Sequence, residues 1–299
     1  MQTEESRLFS ELIRDRNLTL MHDDRGSCII LWAPYLPTEA NDPATAFVDG
    51  YYLVYQQLYR RKKELHRRLE DSGIEVRDYT EPYKYLLLRT GLCTALRNRL
   101  LCHREFGSFF AVEILYLPDR REGEPFPLPD CNGVPATDPR CEACGLCAQR
   151  CPVGALCESG GLTRERCIRD RQFHVLPPDD PDGPAIGNRV LGCNVCQRVC
   201  PRNSGIDSRP LDDAERTHFA LDRFLQACLD RGDKWQWYDA YIGHNYARTQ
   251  RLLSFLLNAM KNHNPLRYRE VVSRYAAHQN PEIRDMIAAF LRYCDRLTP

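Results

Sequence analysis

The chain has 299 residues, with 41 lysines and arginines set against 41 aspartates and glutamates. This balance excludes a global electrostatic pull toward nucleic acid or membrane, so any such surface must be local. Fifteen cysteines, a charged N-terminal stretch that is no secretory leader, and apolar runs too short to span a bilayer lead us to expect a cytoplasmic monomer with no membrane partner.

In chain order, residues 5–16 predict a short amphipathic helix with Leu8, Leu12 and Ile13 on one face. The run SCIILWA (27–33) predicts a buried strand, and Pro34, Pro37 and Pro43 mark the loop after it. From Ala46 to Ser72 the period turns helical through Tyr51, Val54, Tyr55, Leu58, Leu65 and Leu69. The opposite face carries Arg60, Arg61, Lys62, Lys63, Arg67 and Arg68, and reads either as a solvated helix face or as a surface that meets phosphate. Residues 73–78 predict a strand ending at Asp78, residues 83–90 a helix stopped at Gly91, and residues 106–117 an apolar strand. Strands and helices alternate, so residues 1–122 are expected to form an α/β sandwich domain. Residues 118–140, rich in proline and aspartate, read as a linker.

Next comes CEACGLCAQRCP: Cys141, Cys144, Cys147 and Cys151, then Pro152. This is C-x2-C-x2-C-x3-C-P, the spacing by which a short loop sets three thiolates on one [4Fe–4S] cube and sends the fourth to another. A second run, CNVCQRVCP, holds Cys193, Cys196 and Cys200, then Pro201, and Cys167 lies between the two. Crossing the ligands as two-cluster ferredoxins do gives Cys141, Cys144, Cys147 and Cys200 to one cluster. The other takes Cys151, Cys167, Cys193 and Cys196. Structural zinc, the bland rival, explains neither the tight triplet nor the proline after each run. Residues 123–208 are therefore expected to form a bacterial two-cluster ferredoxin-like domain, with 172–189 as a spacer or contact loop. Cys28, Cys93, Cys102, Cys157, Cys228 and Cys294 read as buried or half-buried thiols, and Cys131 is left without a role.

From Leu211 onward the pattern is helical, over 213–230, 249–262, 265–277 and 281–297. Asn264 and Asn280 stand as caps before Pro265 and Pro281. A weak echo at an offset of 35 pairs Leu252 with Ile287 and Phe255 with Phe290, so residues 209–299 are expected to be an all-α, HEAT-like repeat domain. Between Ala240 and Asn280 the cations Arg248, Arg251, Lys261, Arg267, Arg269 and Arg274 face one acid, Glu270. Two readings stand side by side: an RNA-binding face carried by Arg248, Arg251 and Lys261, or a repeat module with solvated arginines. Trp235 and Trp237 read either as a stacking platform for bases or as helix packing.

Several of these stretches together resemble the epoxyqueuosine reductases: CEACGLCAQRCPVGAL (141–156), RCI (166–168), IGNRVLGCNVCQRVCPRN (186–203), GLCTALRNRLLCHREFGSFFAVEIL (91–115), IILWAPY (29–35) and RTQRLLSFLLNAMKN (248–262). The resemblance is strong in 141–203 and looser elsewhere. It implies an α+β multidomain protein whose N-terminal domain holds cobalamin, with the clusters passing electrons to it from an external flavodoxin- or ferredoxin-type donor. The implied reaction removes the epoxide oxygen of epoxyqueuosine in tRNA, with an aspartate as proton donor.

Mapped residue by residue, the resemblance makes Asp78 the catalytic candidate, in Asp78-Tyr79-Thr80-Glu81-Pro82, with Glu81 as its competitor. It puts Gly91, Arg97 and Asn98 in the cobalamin-binding stretch. That stretch departs from the family's GLGWxGK, having Cys93, Thr94, Leu96 and Arg97 where the family has Gly, Trp, Gly and Lys. The departure keeps two further classes open: an electron carrier with a degenerate cobalamin domain, and a cobalamin-dependent reductase of a small molecule.

Overall fold

The computed structural model describes residues 15, 17–23, 26–39, 42–80, 82–118, 137–141 and 143–298. The helix expected at 5–16 lies almost wholly outside them. The fold is mixed α and β. By packing, the chain forms two units, each from discontinuous segments: Met1–Tyr35, Leu53–Gly145 and Pro201–Ile206 make the first; Leu36–Tyr52, Leu146–Cys200 and Asp207–Pro299 make the second.

The first unit is built on a four-stranded sheet in the order β1 (Leu18–Asp23), β2 (Gly26–Pro34), β7 (Phe110–Pro118) and β4 (Arg77–Asp78). All three pairings are antiparallel, with Ile30 opposite Thr19 on one side and Ile114 on the other. The hairpin partner β1 and the return strand β7 make the sheet antiparallel. β2 is central, which is why residues 29–32 are buried at 0–2% exposure without alternation. Ile30, Trp32, Leu87 and Ile114 meet in one core cluster, and the Trp32 indole N–H donates to Thr19 Oγ1 at 2.9 Å. Helix α1 (Tyr51–Asp71) buries Leu58, Leu65 and Leu69, each worth about 1.5–3 kcal/mol of transfer free energy. Its basic face is largely spent on acids: Arg61 pairs with Asp15, Lys62 with Asp78 and Glu113, and Arg67 with Glu64 and Asp71. Helix α2 (Tyr83–Arg89) is followed by a small hairpin, β5 (Cys93–Ala95) with β6 (Leu101–His103).

The second unit is mostly helical. Short helices α3 (Leu146–Gln149), α4 (Ile168–Arg171), α5 (Gly183–Ile186) and α6 (Val195–Arg198) carry the cysteine region. β3 (Phe47–Val48) pairs in parallel with β8 (Arg189–Leu191). The helix expected over 213–230 is two helices, α7 (Asp213–Phe219) and α8 (Leu221–Asp230). The break has a cause: Ala46 N donates to Phe219 O at 2.7 Å and Leu221 N to Ala44 O at 3.0 Å, so Ala220 is held extended at φ −52, ψ 129. α9 (Gln236–Ile242) follows, with Trp235 buried and donating to Asp239 at 2.9 Å, and Trp237 stacked on His218. Both tryptophans therefore pack helices. α10 (Thr249–His263), α11 (Pro265–Ser273) and α12 (Pro281–Asp295) end the unit, and Asn264 and Asn280 cap the last two as their side chains accept from Arg267 N and from Glu282 N and Ile283 N. Among the described residues no helix is long and apolar enough to cross a membrane.

Candidate functional site

None of the fourteen described cysteines is joined in a disulfide, and Cys131 lies outside the described residues. Of the eight candidate ligands, Cys141 and Cys144 belong to the first unit and Cys147, Cys151, Cys167, Cys193, Cys196 and Cys200 to the second. All eight are half-buried, as side chains wrapping a cofactor need to be. Local structure sets their directions. Cys147 rides on α3, Cys196 on α6, and Cys167 stands at the N-cap of α4 with extended backbone, φ −61 and ψ 122. Cys151 Sγ accepts from Ala155 N at 3.2 Å, inside the turn that follows Pro152.

In the second unit Cys196 has Cys193, Cys167, Cys147 and Cys151 as electrostatic neighbours, and Cys193 has Cys167 and Cys151. Burial, with those thiols adding to it, raises Cys193 and Cys196 above the ordinary thiol range. Thiols so placed need bound positive charge to ionise, and iron supplies it. Among the described residues no three His, Cys, Asp or Glu side chains converge as a single metal ion requires. The donor set, sulfur alone, fits iron–sulfur clusters.

Two residues that the sequence reading missed hold this loop. Gln172, 7% exposed, accepts from Gly192 N at 2.6 Å and donates to Gly192 O at 3.2 Å, clamping the peptide before Cys193. It stands at the head of the stretch read as a spacer or contact loop. Asp49, fully buried, lies behind Gly192, where a Cβ would meet its own Cβ at 2.5 Å. Asp49 Oδ1 accepts from Tyr51 N at 3.1 Å, and burial raises its carboxyl above the usual range. Neither contact is local in sequence, so no motif announces it. Cys157, expected to be at least half-buried, is exposed in the turn closed by Cys157 N to Gly161 O.

In the first unit, Asp78 lines a cavity of about 460 Å³ with Arg77, Tyr79, Tyr85, Arg89 and Tyr116. That size suits a small ligand or one nucleoside. Asp78 is 63% exposed and bonded to Lys62 Nζ at 3.0 Å; the same ammonium meets Glu113 at 2.8 Å. Burial works against the Lys62 charge, but its bonds to Glu113 and Asp78 outweigh that and raise its pKa. A proton-donating Asp78 must first part from this ammonium. Its competitor Glu81 lies outside the described residues.

Gly91, Arg97 and Asn98 do not form an open cradle. Cys93 and Leu96 are buried at 5% and 3%. Arg97 Nη1 donates to Cys141 O at 3.3 Å, and Asn98, 5% exposed, accepts from Leu100 N at 3.2 Å. Burial pushes the Cys93 thiol up to about 12, with Cys102 beside it adding to the shift.

On α10, Arg248 is exposed and Arg251 half-buried. Lys261 is engaged: its ammonium donates to Pro178 O at 2.6 Å, sits 4.8 Å from the Tyr293 ring centre, and is pushed down in pKa by burial. Arg269 and Arg274 are paired with Asp295 and Glu270. The local positive surplus thus reduces chiefly to Arg248, Arg251 and Arg267.

Comparison with known proteins adds three findings. Residues 140–203 match the 4Fe-4S double cluster binding domain. An epoxyqueuosine reductase of Bacillus anthracis is 37% identical over 121 residues, 40% of this chain and 29% of that protein. In structure, the epoxyqueuosine reductase of Streptococcus thermophilus superposes with a TM-score of 0.60 at 18% identity, over 95% of this chain and 80% of that one. Another, with an epoxyqueuosine-modified tRNA stem loop, gives 0.58 at 18% over 91% and 82%. The sequence matches span less than half the length of the first curated relatives. The chain therefore carries a double [4Fe–4S] cluster domain and has the fold of solved epoxyqueuosine reductases.

Proposed function

We propose that this protein is a cytoplasmic iron–sulfur oxidoreductase of the epoxyqueuosine reductase kind, acting on a modified nucleoside in tRNA. The observation that carries the reading is the fold match over 95% of the chain together with the double-cluster domain at 140–203. Cys141, Cys144, Cys147 and Cys200 hold one cluster; Cys151, Cys167, Cys193 and Cys196 hold the other. The partition 1–122, 123–208 and 209–299 then assigns substrate, redox and helical HEAT-like roles in that order, the first with a sandwich architecture. The clusters supply single electrons. The chain's own residues do the rest. The cavity at Asp78 takes the nucleoside, Tyr79 and Tyr85 offer rings to stack on it, and Arg77 and Arg89 face its phosphates. Asp78, exposed to water, relays a solvent proton to the leaving oxygen once its bond to Lys62 opens, and Glu113 keeps the ammonium in place. Arg248 and Arg251 contact the RNA backbone; Lys261, engaged with Pro178, is the least available of the three.

The test is anaerobic turnover of an epoxyqueuosine-modified tRNA stem loop with a low-potential viologen, with and without added cob(II)alamin. Mass spectrometry of the nucleosides is expected to show loss of one oxygen, abolished in Asp78→Asn. Unchanged nucleoside under both conditions would favour a second reading, an electron carrier with a degenerate cobalamin domain. The closed β5–β6 hairpin supports that alternative.

A further inference from the structure

We propose that Arg202, held by Asp138, is the cation that poises the cluster at Cys141, a positioning residue that favours the cluster's reduced form. The inference rests on the reading of Cys141, Cys144, Cys147 and Cys200 as the ligands of one cluster. Asp138, Arg202 and Cys141 all lie in the first unit.

Asp138 is 4% exposed and immediately precedes the 3-10 turn Pro139–Cys141. Its backbone is fixed twice: Asp138 N donates to Ala95 O at 3.0 Å, and Asp138 O accepts from Cys141 N at 2.8 Å. One carboxylate oxygen accepts from Arg140 N at 3.0 Å and from Arg140 Nε at 3.1 Å. The other oxygen is shared by Arg140 Nη2 at 3.2 Å and Arg202 Nε at 3.1 Å. The Arg140 side chain is 69% exposed, so water screens its charge; the Arg202 side chain is 26% exposed and is screened far less.

The Arg202 Nε–H is buried. Its approach to Asp138 is an ion pair without hydrogen-bond geometry, so this donor has no acceptor among the described residues. Leaving a buried donor unanswered costs about 1–3 kcal/mol, and each such case asks what the donor serves. The guanidinium's other polar neighbour is the Cys102 thiol, 2% exposed and a weak acceptor. A cluster sulfur is the kind of acceptor that is missing, being anionic and held among half-buried ligands. Arg202 stands two residues after Cys200, and Asp138 ties it to the turn that ends at Cys141. Chain connectivity and the ion pair thus lead this one donor to ligands of the same cluster.

A cluster gains negative charge when it takes up an electron, and no covalent bond is made or broken. Nearby cations and N–H donors to its sulfurs therefore favour the reduced form. Arg97 is already spent on the Cys141 carbonyl at 3.3 Å, and Arg140 reaches into water. Arg202 is the cation left to act on the cluster. A purely structural role would account for Asp138, which closes the turn, but not for a cation whose inner N–H goes unanswered.

The test uses the full chain, reconstituted anaerobically and titrated with dithionite under EPR. Arg202→Met is expected to shift the reduction equilibrium of one cluster about tenfold toward the oxidised form, about 59 mV for a one-electron couple, and to leave the other cluster within twofold. Arg202→Lys, which keeps the charge, should recover at least half of that shift. Arg202→Gln, polar and uncharged, is a second route to the same reading and should shift the equilibrium at least threefold. In a Cys167→Ser background, expected to keep only the Cys141 cluster, Arg202→Met should give the same shift. Asp138→Asn frees the guanidinium and should alter the EPR signal of that cluster. Arg104→Met, at an exposed cation of the same unit, should change neither cluster. Equilibria within twofold of wild type in both Arg202→Met and Arg202→Gln overturn the proposal. So do equal shifts of both clusters, a matching shift in Arg104→Met, or no shift in the Cys167→Ser background. An unchanged signal in Asp138→Asn overturns the part given to Asp138. Wild-type protein that holds about four irons or fewer overturns the cluster reading itself, whereas about eight irons with unmoved equilibria overturn only the role of Arg202.

Discussion

Arg209→Met tests how the helical part of the second unit is held. Glu215 is 2% exposed, and its carboxylate accepts from both Arg209 terminal nitrogens at 2.6 Å, from Tyr241, and from Asp212 N at 3.0 Å. Burial alone would raise the Glu215 pKa, yet the bonds from Arg209 and Tyr241 bring it below the ordinary glutamate range. Removing the guanidinium leaves a buried charge with only neutral donors, a loss of about 3–5 kcal/mol. At about 2–4 °C per kcal/mol for a unit of this size, the anaerobic melting temperature at pH 7 should fall by roughly 10 °C. Glu215→Gln should cost less, about 1–2 kcal/mol, because Arg209 is 26% exposed and water reaches it. The double variant should be milder than the sum of the singles. The sign with pH is fixed by the depressed carboxyl: its contribution is complete above the unfolded glutamate value near 4.3, and is lost as pH falls through the lower folded value. In Arg209→Met the unpaired buried carboxyl is raised instead, so the wild-type advantage should be greatest near pH 8 and shrink as pH falls and the variant's Glu215 takes up a proton before the wild type's does. A shift under about 2 °C at pH 7 would refute a buried, charge-bearing pair here.

Three further outcomes are expected. Lys62→Met strands Glu113, whose side chain is 12% exposed, and should cost about 3 kcal/mol in thermal or urea melts. Since the Lys62 pKa is raised, that gap should persist through pH 9 and close only as pH climbs through its folded value, above about 10.4. Cys167→Ser should halve the iron retained after anaerobic reconstitution, from about eight to about four per chain, read by iron and sulfide assay. Gly107→Ala, at φ +56 with Asn203 Oδ1 only 2.2 Å from the added Cβ, should cost about 2–4 kcal/mol through backbone strain and loss of the Ser108 N to Asn203 bond; an unchanged melting point would show that the turn can relax.

Much of the fold follows from features that are local in the sequence. β2 and α1 are legible because burial there writes a continuous apolar run and a clear helical period. β1 is not, since LTLMHD mixes apolar and polar residues at a sheet edge, where only one neighbour constrains it. The β5–β6 hairpin is hidden by LCTALRNRLL, whose leucines and arginines favour helix. Cross-strand pairing of Cys93 with His103 and of Thr94 with Cys102 overrides that preference. The split at Ala220 is equally silent, for it depends on residues 44–46, far away in the chain. Candidate sites divide in the same way. Cysteine spacing is set by the reach of a short loop around a cluster, so it can be read directly. Gln172 and Asp49 act across the fold on Gly192, and neither has a spacing to betray it.

The two halves of the proposed chemistry stand differently in this chain. The redox half keeps every thiol its pattern asks for, and backs them with a clamp at Gln172 and a buried acid at Asp49. The acceptor half keeps a cavity and an acid, Asp78, but has filled the neighbouring stretch with its own side chains. Cys93 and Leu96 are not surface decorations on a glycine loop. Each is nearly fully buried, so restoring glycine at either would remove core volume, a loss of up to about 2–5 kcal/mol for the larger side chain. Arg97 is likewise committed, to the carbonyl of Cys141, one of the cluster ligands proposed here. Here Cys93 and Leu96 pack and Arg97 bonds the Cys141 carbonyl, so on the proposed reading this stretch braces the cysteine loop while the Asp78 cavity takes the substrate.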